Sequence, residues 1–212
     1  GLVIVLARAL LSQRREVRRR IEAERHVRQL ANQDVLTGLA NRRQFDEQLA
    51  AAIAAPPRLG NAHAVLLLDL NGFKRINDVY GHAVGDEVLI GVAHRLVEAI
   101  RDVDLVARLG GDEFVILATH LGGPDDAANV ALRTMRALST PIRGGNAVHS
   151  VGAGIGIALF PQDGQTSSEL LRRADIALYR AKAEPRSALC FFEEEMDAVV
   201  RERDLLQREL QA

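Results

Sequence analysis

Residues 64–70 read Ala-Val-Leu-Leu-Leu-Asp-Leu, and this run constrains the fold more than any other segment. It is too short for an independent helix and suits a strand buried on both faces, which needs sheet neighbours and covering layers. It delivers Asp69 to a strand end. From Asn32 onward helix and strand signals alternate around it, the texture of an α/β or α+β domain. Residues 84–100 repeat apolar positions at helical spacing. Leu105–Leu109 and Phe114–Ala118 flank Gly110-Gly111-Asp112-Glu113, which predicts two strands joined by a tight turn. Helices are expected at about 124–138 and 167–183, the second ended by Pro185. A glycine-interrupted strand at about 149–159 lies between them, and a last strand includes Leu189–Phe192. No internal repeat or low-complexity segment breaks the pattern.

The chain has 212 residues, room for one good-sized domain and an appendage. Its 48% hydrophobic and 26% charged residues exclude a disordered chain and a polytopic membrane protein. Six Phe, two Tyr and no Trp leave little for base-stacking platforms, and 27 Lys+Arg against 28 Asp+Glu argue against a polyanion binder, so no nucleic-acid partner is expected. The lone cysteine, Cys190, excludes an intramolecular disulfide and a cysteine-based zinc cluster and fits a reducing, cytosolic setting.

Residues 2–11 are apolar except for Arg8, short of the ~20 residues that span a bilayer, and Arg14, Arg15, Arg18, Arg19 and Arg20 follow. Two readings stand evenly: the cytoplasmic exit of a transmembrane helix under the positive-inside rule, and a solvated amphipathic helix. Without Pro or Gly from residue 8 to about 32, a continuous helix is expected. Its thin apolar seam, Val17, Ile21, Val27 and Leu30, is too broken for a firm coiled-coil assignment. The expected organisation is a juxtamembrane or signalling helix over 1–31, the α/β domain over 32–192, and a charged helical linker over 193–212.

Asp69 at a strand end and Asp112-Glu113 in a hairpin turn face each other if their strands are sheet neighbours. Hard carboxylate oxygens in that arrangement suit Mg²⁺, which keeps waters and substrate phosphates as its other ligands. By spacing alone, a surface hairpin with solvated acids remains the commoner outcome.

The neighbouring residues narrow this. Arg108-Leu-Gly-Gly-Asp-Glu-Phe114 resembles the signature of the GGDEF family of diguanylate cyclases. Four further stretches match in order: Asp34-Val-Leu-Thr-Gly-Leu-Ala-Asn-Arg-Arg43; Leu68-Asp-Leu-Asn-Gly-Phe-Lys-Arg-Ile-Asn-Asp78 with Gly81-His82 and Gly85-Asp86; Gly156-Ile-Ala-Leu-Phe-Pro161; and Ala174-Asp-Ile-Ala-Leu-Tyr-Arg-Ala-Lys182. The resemblance covers about residues 30–192. It implies a mainly antiparallel central sheet flanked by helices, like the polymerase palm and the class III nucleotide cyclases. The implied reaction condenses two GTP into cyclic di-GMP with release of two pyrophosphates.

The resemblance implies Asp69, the Leu70 carbonyl and Asp112 as metal ligands, with Glu113 a further acid there. It implies two Mg²⁺ (or Mn²⁺) per active site and Asp112 as proton acceptor for the attacking 3′-hydroxyl. Lys74 matches the position that stabilises phosphate charge, Asn77 and Asp86 the guanine-reading pair, and His82 a nucleotide contact. A carboxylate at Asp86 accepts from guanine N1–H and its 2-amino group, which disfavours ATP. Lys182 matches a phosphate-binding lysine and Arg186 the second basic position, although Pro185 stands where the family usually has Gly. Asn71 replaces an often acidic residue, and Gly154 replaces the usual Ser. Arg101 and Asp104 form an Arg-x-x-Asp pair at the spacing of the family's inhibitory product site, where the resemblance implies bound cyclic di-GMP.

Catalysis in the family implies a homodimer with two GTP antiparallel across the interface. Residues 191–212 look like the linker that in many members leads into an EAL phosphodiesterase domain, and a membrane or sensory segment is expected upstream, which would make this the cytoplasmic domain of an inner-membrane protein. The alternative function is a catalytically inactive module that binds GTP or cyclic di-GMP and controls a partner EAL domain.

Overall fold

The computed structural model describes residues 13, 31–55, 61–183 and 188–194. Apart from residue 13, the expected stalk up to residue 30 lies outside the described residues, as do Pro185, Arg186 and the linker beyond residue 194. Elements run in the order α1 (Arg42–Ala54), β1 (Ala62–Asn71), α2 (Phe73–Tyr80), α3 (His82–Ala99), β2 (Leu105–Gly110), β3 (Glu113–Leu121), α4 (Pro124–Ser139), β4 (Ile142–Gly144), β5 (Ala147–His149), β6 (Gly152–Phe160), α5 (Ser167–Ala183) and β7 (Leu189–Phe191).

The apolar run is the middle strand of a five-stranded sheet ordered β2-β3-β1-β6-β7. β1 pairs antiparallel with β3 and with β6, β2 antiparallel with β3, and β7 parallel with β6. Period-2 alternation sorts its side chains between two cores. Leu66, Leu68 and Leu70 join Phe114, Ile116, Ile155 and Ile157 on the face covered by α3 and α4. Val65 and Leu67 join Val115, Leu117 and Phe160 on the face covered by α1 and α5. Asp69 has the parity of Val65 and Leu67 and so belongs to the α5 face.

α5 lies directly on the β6 backbone because two glycines remove the side chains between them. A Cβ on Gly156 would stand 2.1 Å from the Ala174 carbonyl oxygen and 2.2 Å from the Leu178 nitrogen. One on Gly154 would stand 3.2 Å from Cγ of Lys182. Two residues of strand therefore match one turn of helix, and the end of α5 is placed over the end of β1.

Four elements went unassigned in the sequence reading. α1 begins at an Asn41 cap whose side chain accepts from the Gln44 amide, and α2 occupies the short stretch between the Gly72 and Gly81 joints. β4 and β5 form a separate two-stranded ladder. The strand expected at 149–159 accordingly splits, with His149 in β5 and β6 starting at Gly152. Among the described residues no helix is long and apolar enough to cross a membrane.

Candidate active site

The β1–β3 ladder sets Asp69 directly opposite Glu113, so the two acidic segments are sheet neighbours. One step further along, the Leu70 amide donates to the Asp112 carbonyl at 3.3 Å. This bond holds the Gly110-Gly111-Asp112 turn against the end of β1. Both glycines have positive φ, 145° and 53°, a conformation that side-chain-bearing residues rarely take. Leu70 is buried, Asp69 and Asp112 are half-buried, and Glu113 is exposed.

Arg108 holds the turn from its other side. Its Nε and Nη2 donate to the Gly111 carbonyl at 3.0 and 2.8 Å, and its Nη1 donates to both Asp34 oxygens at 3.1 and 3.2 Å. The Arg108 amide also donates to the Ala40 carbonyl at 2.9 Å. Asp34 in turn accepts from the Thr37 amide and hydroxyl at 2.9 and 2.6 Å. The stretch that enters the domain is thereby fastened to the signature turn through one guanidinium. The sequence reading assigned Asp34 no role, although Asp-x-x-Thr is itself a turn signal.

Burial pushes the Asp34 carboxyl up, but the Thr37 and Arg108 hydrogen bonds outweigh it and hold the group below the ordinary carboxylate value. A depressed folded value means that the ionised form stabilises the fold above the unfolded pKa of about 3.9, and that this contribution is lost as pH falls through the folded value. The parent is therefore expected to exceed Asp34→Asn in urea midpoint at pH 7, with the gap closing toward pH 3. A gap independent of pH would contradict the assignment.

Lys182, at the end of α5, reaches Asp69 with Nζ 2.5 Å from Oδ1. Its stem crosses Gly154, the ladder partner of Asp69. A Cβ at 154 would press on that stem at 3.2 Å and on Cδ1 of Leu178 at 3.3 Å, a contact the flexible lysine can absorb.

On the segment after β1, Lys74 lies exposed in the first turn of α2 and His82 exposed at the start of α3. Asn77 is half-buried with its side chain laid over Gly85, where a Cβ would stand 1.9 Å from Oδ1. That close approach places Asn77 beside the exposed Asp86. Arg186 is outside the described residues.

Among the described residues no three His, Cys, Asp or Glu side chains are gathered tightly enough to hold a metal by themselves. The donors at the β1 end are hard oxygens, the Asp69 and Asp112 carboxylates and the Leu70 carbonyl, and the cation already drawn to Asp69 is an ammonium. Such a donor set fits Mg²⁺, which is bound through one or two carboxylates with phosphates completing the shell.

Arg101 and Asp104 are locked to each other. Nε and Nη2 of Arg101 each donate to one Asp104 oxygen at 3.0 Å, and Nη2 also donates to the Thr119 carbonyl at 2.9 Å. The Asp104 side chain is 0% exposed and accepts from the Thr119 amide at 3.1 Å, while Arg101 keeps 43% exposure. Asp104 thus ties the entry of β2 to β3, and Arg101 is the outward member of the pair.

Similarity to known proteins follows the same segments. Residues 31–188 match the family described as "Diguanylate cyclase, GGDEF domain". The bifunctional diguanylate cyclase/cyclic di-GMP phosphodiesterase MucR of Pseudomonas aeruginosa is 42% identical over 208 residues, 95% of this chain and 30% of MucR. Diguanylate cyclase TpbB of the same organism is 42% identical over 160 residues, 74% of this chain and 37% of TpbB. The chain thus spans under two fifths of the length of either curated relative. The solved GGDEF domain of TpbB superposes with a TM-score of 0.76 at 38% identity, covering 80% of this chain and 99% of that one. The coiled coil and GGDEF domain of DgcB from Caulobacter crescentus, solved with c-di-GMP, also gives 0.76, at 28% identity over 88% of this chain and 98% of that one. With the signature turn held to the Leu70 amide at the end of β1 in a palm-like sheet, and the family match running from residue 31 to residue 188, the chain belongs to the GGDEF family of diguanylate cyclases.

Proposed function

We propose that this domain condenses two GTP into cyclic di-GMP, releasing two pyrophosphates. The observation that carries the reading is the convergence of Asp69, the Leu70 carbonyl and the signature turn at one end of the sheet, with Lys182 closing on Asp69. Mg²⁺ or Mn²⁺, two per site, would be held by Asp69, Leu70 and Asp112 with Glu113 alongside, and supplies charge neutralisation on the triphosphate and a lower pKa for the attacking hydroxyl. Asp112 accepts the proton of the 3′-hydroxyl. Lys74, Lys182 and Arg186 neutralise phosphate oxygens, His82 contacts the nucleotide, and Asn77 with Asp86 reads the guanine edge. Each domain holds one GTP, so turnover needs two copies face to face. In a longer protein an EAL domain downstream and a membrane or sensory segment upstream would set the output, and the name of the bifunctional relative MucR supports the first of these.

The test is incubation of the chain with GTP and Mg²⁺, with nucleotides resolved by chromatography. Cyclic di-GMP is expected, at a rate that rises more than linearly with protein concentration, with little turnover of ATP. GTP binding without product at any protein concentration would leave only the regulatory-module reading.

Product inhibition belongs to the same proposal. Cyclic di-GMP would be taken by the Arg101–Asp104 pair once it opens, the Arg101 fork facing guanine N7 and O6 and the Asp104 carboxylate facing the N1–H edge. Arg101→Ala is expected to weaken cyclic di-GMP binding and relieve inhibition together, since linkage requires the two to move by one factor. Unchanged product affinity by calorimetry would return the pair to a purely structural tie between β2 and β3.

A further inference from the structure

α2 is eight residues long and hangs between two glycines of positive φ, Gly72 at 75° and Gly81 at 84°. Only Phe73 and Ile76 of it are buried, so the core fixes its inner edge and leaves its far end to be held otherwise. α3 begins directly after Gly81, and the proposed guanine-reading pair straddles this joint, Asn77 before it and Asp86 after it. A base edge is read well only where its partners are held to within about 0.5 Å. A single left-handed glycine, free to take many conformations, does not set such a spacing by itself.

The β4–β5 hairpin is laid across the joint. Its turn meets the opening turns of α3: the Gly145 amide donates to Oε2 of Glu87 at 2.7 Å, and a Cβ on Gly144 would stand 3.1 Å from Val88 Cγ2 and 3.3 Å from Val84 Cγ1. Its entry is fastened further along the same helix. A Cβ on Gly91 would meet Ile142 Cγ2 at 2.5 Å, and Nη2 of Arg95 donates to the Pro141 carbonyl at 2.7 Å. From β5, the buried His149 sets its ring against Tyr80, the last residue of α2, with centroids 4.8 Å apart and the planes at 78°. Nε2 of His149 donates to the Gly144 carbonyl at 3.2 Å, which ties that ring back to the hairpin turn. One hairpin thus holds the end of α2 and the start of α3 together. Glu87 and Tyr80 are both exposed, so neither contact is a by-product of core burial.

We infer that the β4–β5 hairpin positions the guanine-reading pair, with Glu87 and Tyr80 as positioning residues that set base specificity through Asp86 and Asn77. The inference rests on the cyclase reading, since it takes Asn77 and Asp86 as the base contacts. Glu87 is the chain neighbour of Asp86, so a bond at one fixes the backbone of the other. Tyr80 stands three residues after Asn77, on the same face of α2. The metal ligands and Lys182 belong to β1, the signature turn and α5, so loosening the hairpin changes the choice of base before it changes the hold on the triphosphate.

The probes are the unreactive α,β-methylene analogues of GTP and ITP, which differ only in the 2-amino group that a carboxylate accepts from. Their affinities for the 212-residue chain are measured by calorimetry with Mg²⁺, and amide hydrogen exchange over residues 77–90 is followed in the free protein. The parent is expected to prefer the guanine analogue by about tenfold or more, the worth of a hydrogen bond to a charged acceptor. Glu87→Ala and Tyr80→Ala are each expected to cut that preference to about threefold or less and to speed exchange over 77–90. Glu87→Gln keeps an acceptor for the Gly145 amide while losing the charge, and is expected to hold the parental ratio. A preference undiminished in either alanine variant overturns the inference and leaves the cyclase reading standing. An equal loss in Glu87→Ala and Glu87→Gln does the same, since it traces to charge and not to the bond. A parent that binds neither analogue, or both alike, refutes the reading of Asn77 and Asp86, and the inference with it.

Discussion

Asp112→Asn is expected to lower cyclic di-GMP formation by roughly 10²–10⁴-fold, the range for loss of a catalytic acid–base group, while leaving thermal unfolding nearly unchanged. The structural contact of Asp112 is made by its backbone, whose carbonyl accepts from the Leu70 amide, and asparagine keeps that bond. What the substitution removes is a carboxylate at the end of the sheet that carries Asp69 and, on the proposed mechanism, the proton acceptor. Substitutions of half-buried turn residues that carry no packing usually stay within about 0.5 kcal/mol, so activity and stability should separate cleanly. A folded Asp112→Asn protein that makes product at the parental rate would remove Asp112 from the chemistry.

Gly156→Val is expected to do the opposite and fail through the fold. The new Cβ would lie 2.1 Å from the Ala174 carbonyl oxygen and 2.2 Å from the Leu178 nitrogen. Both are helix backbone atoms that can yield only if α5 moves as a body. Overpacking of this kind costs about 3 kcal/mol or more, or a fall of about 10 °C in Tm for a domain of this size. Because α5 also carries Lys182 to Asp69, activity should fall in the population that stays folded. Gly154→Ala provides the contrast, since its Cβ meets the flexible stem of Lys182 at 3.2 Å and should cost well under 1 kcal/mol. Equal destabilisation by the two substitutions would mean that helix docking on β6 does not set the stability of this face.

The central strand, the signature hairpin and α5 were legible because each announces itself locally. An apolar run, a Gly-Gly turn between apolar stretches and a 3.6-residue repeat are short-range signals. The meeting of Asp69 and Glu113 was conditional in the sequence, since it depends on β1 and β3 being neighbours, and sheet order is a long-range property that no window of residues contains. α1 and α2 escaped notice for a different reason. α1 is largely Ala, Gln and Arg with only Phe45 and Leu49 buried, and α2 is eight residues long, too short for periodicity to rise above noise. The two faces of Arg101–Asp104 show the same limit. Their spacing was visible, but the burial of Asp104 follows from Thr119 on another strand.

Arg108 has a consequence for how these positions can diverge. Its guanidinium serves two acceptors of different kinds, the Asp34 carboxylate and the Gly111 backbone carbonyl. An ordinary ion pair can be inverted, acid for base and base for acid, with the attraction intact. This one cannot, because an acid at 108 would face a carbonyl oxygen that no substitution can turn into a donor. The two positions are therefore unequal partners over generations of change. Position 34 can drift among groups that accept hydrogen bonds, whereas position 108 must keep a side chain that donates them.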